Sequence, residues 1–174
     1  MTLNLPDTIK FVITDFDGIV TDNCVYIDSK GEMTRKLNFK DVMAFSILRK
    51  NGYHIGIVSG EKNSAIEIIA KKFKVEEVHQ DIRVKIDVIK SIIERYKLKK
   101  DEFVYIGDDI NDMKLLQLVG WAGVPASAPE YVKELASLSL SKGGGEGVFR
   151  EFVEKILGVE AIKKMVKTVL LEQQ

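Results

Sequence analysis

The feature that most limits what this chain can fold into is an alternation of short, largely apolar runs with segments of helical spacing. The runs are Lys10-Phe11-Val12-Ile13-Thr14, His54-Ile55-Gly56-Ile57-Val58, Val75 to Val78 and Phe103-Val104-Tyr105-Ile106. Each is too short for a helix, and all but Val75 to Val78, which reads only as a short strand, are apolar at most consecutive positions, the pattern of a strand covered on both faces. Between them, Asp41 can cap a helix through Val42, Phe45, Leu48 and Arg49, with Gly52 just past its end. Ile66, Ile69, Ala70 and Phe73 mark a helix over 63–73, and Ile86, Ile89, Ile93 and Tyr96 mark one over 82–96. A helix from Asn111 to Val119, short strands at 121–123 and 138–140, and a helix opened by Pro129 follow. Gly143-Gly144-Gly145 then breaks the chain before a helix from Val148 to Leu157 and a Lys-rich helical tail. Such alternation implies a three-layer α/β/α fold with a mostly parallel, doubly wound sheet. One interruption stands out. Val25-Tyr26-Ile27 and Met33 to Phe39 flank Asp28-Ser29-Lys30-Gly31, which reads as a β-hairpin after the first strand. No internal repeat or linker divides the chain, so one domain is expected over 1–174, with a core at about 8–157 and a tail at about 158–174.

Composition narrows the partners. Basic and acidic residues balance at 26 each, so no broad field draws nucleic acid or an anionic membrane, and an anionic ligand must be held by a local site. Cys24 is the only cysteine, which rules out an intrachain disulfide and fits a cytoplasmic protein; it is expected to be buried or half-buried. MTLNLPDTIK has no secretory pattern, and no apolar run approaches the ~20 residues of a membrane helix. His54 and His79 belong to no metal or nucleophile constellation and read as structural.

The chemistry gathers at strand ends, where open α/β sheets bind their ligands. One strand ends in Asp15-Phe16-Asp17-Gly18, another in Ser59-Gly60, and a third in Gly107-Asp108-Asp109-Ile110-Asn111-Asp112. A parallel sheet brings all three to one rim, and carboxylates massed there repel one another unless a cation sits among them. Oxygen donors without clustered His or Cys suit Mg²⁺. Asp15 is placed to form an acyl-phosphate, and Asp17 to protonate the leaving alkoxide and later deprotonate water. Asp108 completes the cation site, with Asp109 or Asp112 supporting it. Ser59 offers a hydroxyl, and Gly60 and Gly18 close backbone approach, to a bound phosphate ester. Lys85 can balance the charge of nucleophile and phosphate.

This set resembles the haloacid dehalogenase superfamily. DFDGIVTD, with Asp15 and Asp17, fits its first motif, and Ser59 at the end of IGIVSG fits its second. Lys85 fits the third, and GDDIND, with Asp108, Asp109 and Asp112, the fourth. The resemblance implies Mg²⁺ held by the Asp15 carboxylate, the Asp17 backbone carbonyl and Asp108. Members that act on sugar phosphates normally carry a cap domain, but here the stretch from Asp22 to Asp41 holds only the hairpin, and Gly60 to Phe103 one more β–α pair. TDN, the VYID hairpin, NFKD, SGEK, GDDIND and GGGEGVFRE are similar to the capless 3-deoxy-manno-octulosonate 8-phosphate phosphatases. That group includes phosphatases of nine-carbon keto-deoxy sugar acid 9-phosphates and the phosphatase-like domain of acylneuraminate cytidylyltransferases. The resemblance covers about residues 8–157. It implies a homotetramer in which a neighbouring subunit closes each site over a sugar-acid phosphate, with Lys40 and Arg150 as substrate or intersubunit contacts.

One departure bears on the substrate. Octulosonate phosphatases usually show Gly-Arg after the second-motif hydroxyl residue, where Arg can grip a carboxylate in bidentate fashion. This chain has Gly60-Glu61-Lys62. Glu61 could accept from sugar hydroxyls, and with Lys72 it looks more like the nine-carbon enzymes, so both chain lengths stay open. Two other classes compete: a phospho-signalling receiver domain, and a catalytically idle tetramerisation domain of the cytidylyltransferase type.

Overall fold

The computed structural model describes residues 8–172, with side chains described through residue 168. Strand β1 (Phe11–Thr14) is buried at every position. It pairs in parallel with β4 (His54–Val58) on one side and β6 (Phe103–Ile106) on the other. Parallel pairing continues through β5 (Glu77–His79), β7 (Trp121–Val124) and β8 (Leu138–Ser139), giving the order β5-β4-β1-β6-β7-β8. Strands β2 (Tyr26–Ile27) and β3 (Met33–Thr34) form the separate antiparallel hairpin.

Side chains alternate across the sheet, so each strand feeds two cores. Val12, Ile55, Ile57, Val104 and Ile106 face Phe45, Ile66, Phe149 and Phe152. These belong to α1 (Phe39–Lys50), α2 (Ser64–Phe73) and α6 (Val148–Glu172). Phe11, Ile13 and Tyr105 face Ile89, Ile92, Leu115, Leu116 and Val132 on the other side. Those come from α3 (Lys85–Tyr96), α4 (Met113–Leu118) and α5 (Glu130–Lys133). Each such side chain, fully buried, contributes roughly 1.5–3 kcal/mol, which is what fixes both helical layers to the sheet. Among the described residues no helix is long and apolar enough to cross a membrane.

Leaving the hairpin aside and counting sheet strands in chain order, the arrangement is 3-2-1-4-5-6. The order reverses between β1 and β6, and ligands of such sheets bind at the carboxyl ends at that reversal. Receiver domains have the order 2-1-3-4-5, so this sheet excludes that reading.

Several local expectations change. The cap of α1 is Asn38, whose side chain accepts from Lys40 N–H, and not Asp41. Asp41 lies buried one turn in, and its carboxylate accepts instead from Gly147 N–H at 2.9 Å and Arg150 N–H at 3.1 Å. It thereby satisfies donors at the start of α6 that the helix itself leaves unpaired. Cys24 is exposed, because it lies in the loop before the hairpin with its N–H donating to Asp22 Oδ1 rather than on a core-facing strand. The third sheet strand is 77–79, shifted toward the rim, and the hairpin strands are shorter than their apolar flanks, with an isolated bridge from Thr21 to Leu37. Gly158 (φ 72°) interrupts α6 where the final helix and the tail were expected to divide; residues 173–174 lie outside the described residues. His54, at the start of β4, packs against Phe11 and Tyr96 at the end of the strand opposite the acidic rim, and the His79 side chain pairs with Glu77.

Candidate active site

Thr14 is in register with Ile57 on β4 and Ile106 on β6. Asp15 therefore leaves β1 level with the ends of both neighbours, and the three polar signatures meet at the strand-order reversal. They line an open cavity of about 190 Å³. Asp15, Asp17, Ser59, Gly60, Glu61, Asp108 and Asp109 all reach it, as do Asn23 and Asn111.

Beneath the cavity lies a braced set of charges. Lys85, the first residue of α3, is only 2% exposed, and its Nζ lies 2.7 Å from both Asp15 Oδ2 and Asp112 Oδ1. Asp112 Oδ1 also accepts from the buried Tyr105 hydroxyl at 2.6 Å, and Oδ2 from the Asp108 N–H at 2.9 Å. A buried carboxylate is tolerated when donors surround it, and Asp112 is so surrounded. Burial works against charge on Lys85, but Asp15 and Asp112 outweigh it and raise its pKa above the ordinary lysine value. Burial, with the Asp112 charge added, holds the Asp15 carboxyl well above the usual range while Lys85 pulls it down. Burial and the charges of Asp112 and Asp109 push Asp108 up to about 7. Tyr105 also rises well above its ordinary value through burial and the Asp112 charge. One ammonium among three buried carboxylates leaves negative charge that a cation can offset.

The donor set fits a divalent cation. Asp15, Asp108 and Asp112 offer carboxylate oxygens that all lie within 4.8 Å of one another. Asp112 is already engaged by Lys85, Tyr105 and the Asp108 N–H, so Asp15 and Asp108 keep the freer lone pairs. Gly18 (φ 83°) makes room for this: a Cβ there would run into the Asp108 carboxylate. Asn23 Nδ2 donates to Asp108 Oδ2 at 3.3 Å, and Asp109 Oδ1 accepts from Ile110 N–H, which caps the turn through Asp112.

The remaining rim groups are set by short-range bonds. Ser59 is buried, its Oγ accepts from Glu61 N–H at 3.2 Å, and its N–H donates to the His79 carbonyl. Glu61 itself is exposed at the lip. Asp17 Oδ1 accepts from Arg35 Nε and Thr21 Oγ1, each at 3.0 Å. Three of the residues expected near substrate stand outside the cavity of a single chain. Lys40 is exposed at the start of α1. Lys72 lies over the Phe73 ring on α2. Arg150 pairs with Glu154 along α6 at 2.6 Å. The glycine-rich segment packs under the first loop: a Cβ on Gly144 would strike the Gly18 carbonyl, and Gly145 N–H donates to the Ile19 carbonyl at 3.0 Å.

Sequence reasoning missed Arg35, Asn23, Asn111 and Tyr105. A tyrosine within an otherwise apolar strand was a signal for Tyr105, since its hydroxyl needs a partner when buried. Asn111 stood inside a motif already singled out. Asn23 likewise ends the TDN segment already singled out, whereas Arg35 carried no signal of its own.

Comparison with known proteins points to one family. Residues 78–152 match the family model of haloacid dehalogenase-like hydrolases. A 3-deoxy-D-manno-octulosonate 8-phosphate phosphatase, KdsC, from Haemophilus influenzae is 28% identical over 151 residues, 87% of this chain and 84% of that one. An N-acylneuraminate cytidylyltransferase A from Danio rerio is 28% identical over 94% of this chain, which spans only 37% of that protein's length. Among solved structures, a chain from Pseudomonas syringae pv. phaseolica described as a probable YrbI family phosphatase has a TM-score of 0.88 at 30% identity, covering 94% of this chain and 93% of that one. A 3-deoxy-D-manno-octulosonate 8-phosphate phosphatase from Moraxella catarrhalis, solved with magnesium, phosphate and KDO, also reaches 0.88 over 93% and 94%. At 23% identity that last likeness is one of fold.

Proposed function

The chain belongs to the haloacid dehalogenase-like hydrolases and is a phosphatase, and from that premise we propose that it removes the terminal phosphate of a 3-deoxy-2-keto sugar acid through a phosphorylated Asp15. The observation that carries the reading is the bracing of Asp15. A carboxylate at a strand end opens onto the cavity while a buried Lys85, itself anchored by Asp112, fixes it at 2.7 Å. Such a fixed carboxylate attacks phosphorus without first being ordered. Ser59 Oγ and the Gly60 N–H would hold phosphate oxygens, and Lys85 would offset the charge that gathers on Asp15 and phosphate. Asp17 would protonate the leaving oxygen, then take a proton from the water that releases phosphate.

We take the divalent cation to be magnesium. The donors are oxygen only, and the Moraxella neighbour was solved with magnesium. The Asp15 carboxylate, the Asp17 main-chain carbonyl and Asp108 would hold it, with Asp109 and Asp112 in support. When bound it would neutralise charge on phosphate and carboxylates.

The names of the Haemophilus and Moraxella proteins favour the eight-carbon acid. Glu61 at the cavity lip favours the nine-carbon one. The cavity, at about 190 Å³, falls short of the roughly 300–1,000 Å³ of sites that enclose a small molecule. A second copy would complete it, in a homotetramer that brings Lys40, Lys72 or Arg150 to the substrate. An idle assembly domain would not need the Lys85 brace. Phosphate release from eight- and nine-carbon sugar-acid phosphates, measured side by side with and without Mg²⁺, tests the reading. We expect one of the two to turn over fast and only with the metal. Release no faster than from simple alkyl phosphates would defeat the substrate assignment.

A further inference from the structure

Asp17 is held unlike the other carboxylates at the rim. Its Oδ1 takes two donors, Arg35 Nε and Thr21 Oγ1, while its Oδ2 is buried and meets no donor among the described residues. Arg35 comes from the hairpin, just after β3, and its side chain is only 11% exposed. Sinking a guanidinium that far costs free energy unless a partner offsets it, and Asp17 is the carboxylate it meets. A role as mere anchor of the hairpin leaves this unexplained. The hairpin is already tied down by the Thr21–Leu37 bridge and by the Lys36–Asp22 ion pair at 2.7 Å.

The geometry points to Arg35 as a positioning residue for Asp17: together with Thr21 it claims Oδ1, and so leaves Oδ2 as the oxygen that carries the transferable proton. A proton on Oδ1 would face the guanidinium donor head on. Without the clamp, rotation of the carboxyl group exchanges the two oxygens and spreads the proton over unproductive poses, so the clamp maintains the near-attack geometry that proton transfer needs. The inference rests on the reading of Asp17 as acid and base. In the first step an Asp15 oxygen bonds to phosphorus as the ester P–O bond breaks, and the leaving oxygen takes the proton from Asp17 Oδ2 and departs as an alcohol. In the second, water attacks the phosphorus and gives one proton to Asp17 Oδ2. The P–O bond to Asp15 then breaks, which frees phosphate and restores both carboxyls. Arg35 touches none of the reacting atoms.

The test is a leaving-group comparison on substrates that carry no carboxylate, so that any contact between Arg35 and a sugar acid drops out. Phenolate is as basic as a tyrosine side chain, near pH 10, and needs a proton to leave. Nitrophenolate is a far weaker base and leaves without one. The ratio kcat/KM for phenyl and p-nitrophenyl phosphate, measured on the full chain with Mg²⁺, covers only the steps up to departure of the alcohol. Asp17→Asn should lose much more on phenyl phosphate than on p-nitrophenyl phosphate. Arg35→Met should show the same preference at about a tenfold greater loss on phenyl phosphate, a share of the 10²–10⁴ that acid catalysis supplies, and Arg35→Lys should recover part of it. Equal losses on both esters in Arg35→Met, or none, while Asp17→Asn still discriminates, would overturn the inference and leave the mechanism standing. An Asp17→Asn variant that treats the two esters alike would remove the acid–base reading and the inference with it. Should Arg35→Met fail to fold, Arg35→Gln decides on the same ratio.

Discussion

Asp108 shows how much of this site depends on charge that is not yet balanced. Burial and the charges of Asp112 and Asp109 move its pKa from 3.8 to about 7. A carboxyl raised on folding binds its proton more tightly folded than unfolded. Its contribution to stability is therefore complete below about pH 4 and is lost as pH rises through about 7. Asp15, also raised, acts in the same direction. The metal-free protein should then melt at a lower temperature at about pH 8 than at about pH 5.5, and added Mg²⁺ should raise the melting temperature more at the higher pH, because it binds the ionised carboxylates. Melting curves with chelator and with Mg²⁺ at both pH values check this; a metal effect as large at about pH 5.5 as at about pH 8 would contradict the placement of Asp108 among the ligands. At this scale Asp15, Asp17, Ser59, Lys85 and Asp108 were legible from the sequence, because each closes a strand or opens a helix within a recognisable run. Arg35 was not, because nothing near it in sequence indicates that the hairpin folds its guanidinium back onto a residue 18 positions away.

At the scale of elements, the loop after β1 is built by close contact with the glycine-rich segment before α6. Gly144 lies against the Gly18 carbonyl, and Asn38 Nδ2 donates to the Gly145 carbonyl at 3.0 Å. Gly144→Ala should force these two segments apart, destabilise the fold by roughly 1–3 kcal/mol as overpacking does, and lower kcat through displacement of Gly18 and Asp17. Denaturant titration and steady-state rates measure both; unchanged values would show that the segment has slack that the structure does not allow. The strands themselves were legible, since β1, β4 and β6 are continuous apolar runs with polar exits. The caps were less so. Asp41 and Asn38 are both good capping residues three positions apart, and Asp41 is drawn off by the N–H of Gly147, just before α6 and 106 residues away. Tyr105 was hidden by something more local: its hydroxyl meets Asp112, seven residues on, only through the way the turn after β6 folds back.

For the whole molecule, the hairpin presents Tyr26, Ile27 and Met33 at 61–67% exposure, with Phe39 at 81% just beyond. So many large apolar side chains exposed on the hairpin and at the helix start that follows it fit a contact surface. Light scattering should give the mass of a tetramer, and Ile27→Asp should shift it to smaller species and reduce turnover of the sugar-acid phosphate together. A wild-type chain that is monomeric at full activity would contradict this. The mostly parallel, doubly wound sheet and the lack of a cap followed from the spacing of elements in the sequence, whereas the strand order came only with the structure and no single-chain pattern shows how copies meet. The account as a whole turns on Asp15. Acid-quenched enzyme taken during turnover, digested and analysed by mass spectrometry, should show phosphate on the peptide that carries Asp15, and Asp15→Asn should lack that species while losing about a thousandfold or more in rate. An unmodified Asp15 peptide together with sustained phosphate release by Asp15→Asn would contradict it.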